Sequence, residues 1–118
     1  MSYRRKQIAQ ILGIPALRIK FYTDQGLCTD IIVETGKGNE RRYSDKHLFI
    51  FNLVKELALL GLPFSPIKKI VLDAINMNYF DNPRIMGINP LSSDIVKIVI
   101  DMPLLVKRLN DLCKSWRN

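Results

Sequence analysis

Gly13 constrains this chain more than any other residue, because one helical pattern stops there and another begins two positions later. Before it, Ile8, Ala9, Ile11 and Leu12 recur at helical spacing, which predicts a first helix over residues 3–12. A glycine at that point can take a positive φ without steric cost. Pro15 stands where a second helix would start, since its fixed φ suits a first turn and its missing N–H costs nothing there. The second helix is predicted over residues 16–22 and stops near Gly26. Two short helices around one glycine, with a small residue (Ala9) four positions before it, pack closely as a helix-turn-helix. Ile8, Leu12, Ile14, Ile19 and Tyr22 fall at the offsets that fill the inner corner. Leu17, Arg18, Lys20 and Phe21 are left outside, beside the N-terminus of the second helix.

Beyond this unit the pattern changes to a β-branched run, Ile31-Ile32-Val33, followed by the turn formers of residues 35–39. Arg41-Arg42-Tyr43 supplies a return strand, so the segment reads as a hairpin with a basic tip and edge. Ser44 is a good N-cap for a helix whose apolar face runs from Leu48 to Leu60, with Gly61 as its C-cap. Ser65-Pro66 reads as the cap and first residue of a further helix carrying Ile67, Ile70, Val71, Ala74 and Ile75. Pro83, Gly87 and Pro90 make residues 78–93 a loop or linker. Residues 95–100 read as a strand, and Asp101 as the cap of a closing helix with Leu104, Leu105, Leu109, Leu112 and Trp116. The fold class expected is mainly α with a small β-hairpin wing, a winged helix-turn-helix over residues 1–77. A C-terminal strand and helix over residues 94–118 then read as a dimerisation element.

Charge follows the same division. Residues 1–72 hold twelve Lys/Arg against six acids, and residues 73–118 hold six against five, within a formal net charge of +7. A basic half beside a nearly neutral one suits a polyanion-binding face and a separate structural part, or simply a solvated surface. Lys37 on the hairpin, with Arg41 and Arg42 beside it, could lie along a phosphate backbone next to the second helix; the alternative is a hairpin whose charges are only hydrated. Cys28 and Cys113 belong to no CxxC or Cys/His grouping, which favours reduced thiols over a disulfide or a metal site. The N-terminus has no apolar h-region, and no run of apolar residues is long enough to span a membrane, so cytoplasm is the compartment expected.

The order of residues resembles the MerR family of transcriptional regulators. That family has a Gly-Val-Ser start, a Leu-Arg-Tyr-Tyr-Glu centre and a Gly-Leu end; here Gly13-Ile14-Pro15, Ile19-Lys20-Phe21-Tyr22 and Gly26-Leu27 align without a gap. The family wing ends Gly-Tyr-Arg-x-Tyr-Ser, to which residues 39–44 are similar, and its Gly-Phe-Ser-Leu-x-x-Ile turn is similar to residues 61–70 with a small insertion. The resemblance covers roughly residues 3–75. It implies double-stranded DNA as the partner, and a contacting or supporting set of Tyr3, Arg4, Ala16, Leu17, Arg18, Lys20, Phe21, Tyr22, Lys37, Arg41 and Arg42, with Tyr3 near a phosphate. Several positions depart from the family: Lys20 replaces an arginine and loses its planar fork. Phe21 replaces a tyrosine, and Leu17 stands where an arginine is common, which opens apolar contact with a thymine methyl. The wing is longer and lacks the usual proline. The long coiled-coil helix and effector region that usually follow are missing, so no small-molecule effector and no cofactor are expected.

Enzymatic chemistry has little support. His47 is the only histidine and reads as a surface residue, and Asp24, Asp30 and Glu34 lack metal-ligand spacing. Gly36-x-Gly38 lies in a hairpin with no helix after it, so it is no phosphate loop. Three functions remain open on sequence. One is a sequence-specific regulator acting as a homodimer on a palindrome-like operator, with RNA polymerase as a further partner. Another is an architectural factor of the excisionase type, and the third is a protein-interaction adaptor. The C-terminal strand and the Leu104/Leu105/Leu109/Leu112 face favour a homodimer contact, with packing inside the chain as the rival.

Overall fold

The computed structural model describes residues 2–28, 32–33, 41–89, 95 and 97–117. It opens with a strand: β1 (Ser2–Arg4) pairs antiparallel with β3 (Arg41–Ser44), Tyr3 lying opposite Tyr43. The first helix therefore starts at Arg5, not at residue 3, and α1 covers Arg5–Leu12. A three-residue strand carries no periodicity of its own, and here its partner is some forty positions away. The Arg4 backbone N–H donates to the Gln7 side chain at 2.8 Å, which closes the start of α1. Gly13 ends it at φ +68°, its N–H donating to the Ala9 carbonyl at 2.9 Å. No heavy atom stands within 4 Å of a Cβ built there, so the backbone conformation and not crowding calls for glycine. Pro15 sits at the N-cap of α2 (Ala16–Asp24), just outside the helix it starts.

The hairpin is present as β2 (Ile32–Val33) against β3, giving a three-stranded sheet in the order β1-β3-β2. Its loop, with Lys37, lies outside the described residues. Ser44 caps α3 (Asp45–Leu59) as expected, but its partner in the capping box is His47: the Ser44 backbone N–H donates to His47 Nδ1 at 2.9 Å. His47 is 2% exposed, so the surface place expected for it is corrected: the ring closes the cap and meets Tyr43 edge-on. Residues 47–54 of α3 are all buried, which makes this helix the spine of the core. The following helix, α4 (Phe64–Asn76), starts two residues before Pro66, the first helical residue expected, with Pro63 in place of Ser65 as its cap. Pro66 falls in the first turn, where no N–H is needed by the helix, and so does not force a later start.

The stretch 78–93, read as loop, contains a strand. β4 (Ile85–Ile88) pairs antiparallel with β5 (Ile98–Asp101), Met86 opposite Ile100. Gly87 sits within β4 without disturbing its register, because pairing with β5 satisfies the backbone there. Asp101 caps α5 (Met102–Arg117), its carboxylate accepting from the Leu104 N–H at 3.0 Å. Met102, Leu105, Leu109 and Cys113 form one buried stripe of α5, which packs against α1 and α3 in a single core with Ile8, Leu12 and Phe51. Two of the leucines expected at a dimer contact, Leu105 and Leu109, are thus used inside the chain, while Leu104 and Leu112 stay exposed.

The two ends of the chain are tied together at Tyr3. Its side chain is 1% exposed and packs by its ring against Trp116 at 6.2 Å. Its hydroxyl donates to Asp45 Oδ1 at 2.7 Å and accepts from Arg117 Nη2 at 3.1 Å. Burial pushes the Tyr3 phenol up to about 12, the Asp45 carboxylate adding to the rise and Arg117 opposing it. A folded pKa above the ordinary value of about 10 means the neutral phenol stabilises the fold. That contribution is complete below pH ~10 and is lost as the pH rises through about 12. Tyr3→Phe should therefore cost about 1 kcal/mol at pH 8. The gap to the wild type should narrow at pH 11, as read by urea melts at the two values; a pH-independent gap would contradict this assignment.

Candidate nucleic-acid interface

Helix α2 buries Ile19, Tyr22 and Thr23 and turns its other side outward. At about 100° per residue, the exposed positions Lys20, Asp24, Leu17, Phe21 and Arg18 follow one another in that order around roughly 160° of the helix. Lys20 and Arg18 stand at the two margins, and Asp24 and the apolar Leu17 and Phe21 lie between them. Ala16, at the first helical position, is half-buried.

The sheet continues this surface on the Lys20 side. Alternation along β3 sends Arg41 and Tyr43 to one face and Arg42 to the other. Tyr43 reaches Thr23 Oγ1 with its hydroxyl at 3.1 Å, and Thr23 in turn donates to the Ile19 carbonyl. Arg41 reaches Asp24 with Nη1 at 3.0 Å, and Lys20 Nζ meets the other carboxylate oxygen at 2.9 Å. Asp24 is thus a clasp between α2 and the base of the wing. The two cations hold its carboxyl below the usual carboxylate range, Lys20 being the larger influence, and the Asp24 hydrogen bond raises Arg41 in return. The clasp persists above the ordinary carboxylate pKa and opens only as the pH falls through the depressed one.

Arg42 and Arg4 face each other across the ladder on the opposite side of the sheet, where Arg42 Nη2 donates to Ser2 Oγ at 2.9 Å. The structure therefore brings together Leu17, Arg18, Lys20, Phe21 and Arg41, and sets Arg4 and Arg42 on a second face. Tyr3 does not reach either surface, because its hydroxyl is used by Asp45 and Arg117. Tyr22 is buried as well, its ring stacked on Phe64 at 5.8 Å and 12° and near Phe51 at 6.5 Å. Both tyrosines support the surface from behind. Sequence reasoning missed Asp24 as a site residue, although its place four residues after Lys20 on a helix was a visible signal. It also missed Phe64, which meets Phe21 at 5.3 Å and has no local mark of that contact.

Among the described residues no group of His, Cys, Asp and Glu could hold a metal ion, and no helix is long and apolar enough to cross a membrane. Burial raises the Cys113 thiol above its usual range, which keeps it protonated and unreactive.

This architecture is similar to that of a solved structure, HiNmlR, described as a MerR family regulator lacking the sensor domain and bound to promoter DNA. The likeness has a TM-score of 0.53 at 22% identity and covers 98% of this chain and 72% of the other. No curated protein matches the chain. Residues 3–73, from β1 through most of α4, match the family model described as MerR HTH family regulatory protein. With well over half its length inside that model, the chain belongs to the MerR family of helix-turn-helix regulators, a family of DNA-binding proteins.

Proposed function

We propose that this protein is a sequence-specific transcriptional regulator that lays α2 in the major groove of duplex DNA and rests the base of its wing on the flanking phosphates. The observation that carries this reading is the exposed strip of α2 that runs from Arg18 through Phe21, Leu17 and Asp24 to Lys20, with Arg41 joined to its far margin through Asp24. A helix in the major groove needs reading groups along its middle and positive charge where the backbones pass. Arg41 and Lys37 serve the phosphates on the wing side, Ala16 lets the first turn approach closely, and Arg4 and Arg42 offer charge to a more distant backbone segment. Tyr3 and Tyr22 hold the frame. The promoter DNA of the HiNmlR complex is in keeping with this reading.

The regulator acts as a homodimer on a palindrome-like operator, in the cytoplasm. Exposed Ile85, Val99, Leu104 and Leu112 give the C-terminal layer an apolar outer surface that a second copy would cover. Selection of bound sequences from a random duplex pool tests the whole reading. It should return one motif as an inverted repeat, with half-sites separated by whole helical turns. Recovery of no motif would defeat specificity, and a sedimentation coefficient of a monomer at micromolar concentration would defeat the dimer.

A further inference from the structure

Leu17 is the most conspicuous feature of the α2 surface. It stands in the first turn of the helix with 77% of its surface exposed, and Phe21, one turn on, is 46% exposed. Residues four apart on a helix are neighbours, so the two form one apolar strip about 6 Å long. Phe21 is held from behind by the rings of Phe64 and Tyr22, at 5.3 and 5.7 Å, which fixes the face it turns outward. Arg18 borders the strip on one side, and on the other stand Asp24 and Lys20, paired at 2.9 Å.

An apolar protein partner covering this strip would have to strip water from Arg18 and from the Lys20–Asp24 pair. A polyanion instead neutralises Arg18 and competes with Asp24 for Lys20, and what it presents between its two backbones must then be apolar where it meets Leu17 and Phe21. In the major groove the apolar group carried by an unmodified base is the 5-methyl of thymine. We infer that Leu17 and Phe21 are specificity-determining residues that read thymine methyl groups. This deepens the duplex-binding reading and rests on it. A strip of about 6 Å spans between one and two base steps of 3.4 Å, so the thymines lie on adjacent or next-adjacent base pairs of each half-site. Lysine at position 20 fits this assignment, since it supplies charge to a backbone without the planar fork that fixes on guanine.

The test uses the full chain and the duplex recovered by selection, resynthesised with each thymine replaced in turn by deoxyuridine, which lacks only the methyl group. Wild-type protein should lose about fourfold in affinity at one or two positions per half-site, the worth of one buried methyl each, and nothing elsewhere. In Leu17→Ala the loss at the position under Leu17 should vanish, while the loss under Phe21 remains. Because Leu17 is exposed, this variant keeps its fold, and an unchanged circular dichroism melt verifies that. Equal binding of every deoxyuridine duplex by the wild type overturns the inference while leaving duplex binding intact. A chain that retains no duplex from the pool overturns both, and the two failures are distinguishable by whether any binding is seen.

Discussion

Replacing Arg18 and Arg41 together by alanine should weaken duplex binding roughly a hundredfold at 0.15 M salt, about tenfold for each lost charge-assisted contact. The two residues lie at opposite margins of the exposed strip, so each serves a different backbone strand and their effects should add. The logarithmic salt dependence should also flatten, by about 1.8 for two phosphates no longer neutralised. Fluorescence anisotropy over a salt series reads both quantities. The fold should survive, because Arg18 is exposed and the Asp24–Arg41 bridge is a surface pair in water. Affinity and slope that stay at wild-type values would mean that the grip lies elsewhere on the molecule.

The largest effect on stability is expected at Phe51→Ala. This ring is fully buried, stacked near Tyr22 at 6.5 Å on one side and met edge-on by Tyr43 at 5.6 Å on the other. It thereby joins the helix-turn-helix to the wing through a single side chain of the spine helix. Truncating a buried phenylalanine costs about 3–5 kcal/mol, out of a total stability of roughly 5–15 kcal/mol. A fall in Tm of at least about 10 °C should follow in a circular dichroism melt. Binding should fail with folding, since the mutation loosens α2 and β3 at once. A melt within a few degrees of the wild type would mean that the two parts are held together by other contacts.

What could be read in the sequence was what is decided locally. Gly13, Pro15, Ser44, Gly61 and Asp101 each fix a cap or a turn by their own backbone or side-chain chemistry, and each stands at or next to the helix end it was expected to mark. The exposed and buried sides of α2 followed from the 3.6-residue period for the same reason, Ile19 and Tyr22 lying inside as their spacing required. Features decided by a distant partner were not legible. β1 and β4 are strands only because β3 and β5 lie beside them, and which residues Arg41 and Arg42 meet on their two faces is set by a register that three strands share. Asp24 looked like one acid among several until Lys20 and Arg41 met on it. His47, read as a surface histidine, is buried because a ring nitrogen can replace the Glu or Gln of a capping box.

The triangle of Tyr3, Asp45 and Arg117 bears on how such a regulator can be cut or rebuilt. A fragment ending at residue 77 would keep the reading head in name but lose the guanidinium that Tyr3 accepts from, along with the stripe of α5 that covers α1. Its newly bared flank of α1 would be sticky in water, and the strand that positions Arg4 would lose its anchor. A grafted tail would work only if it carried its own lid for that flank.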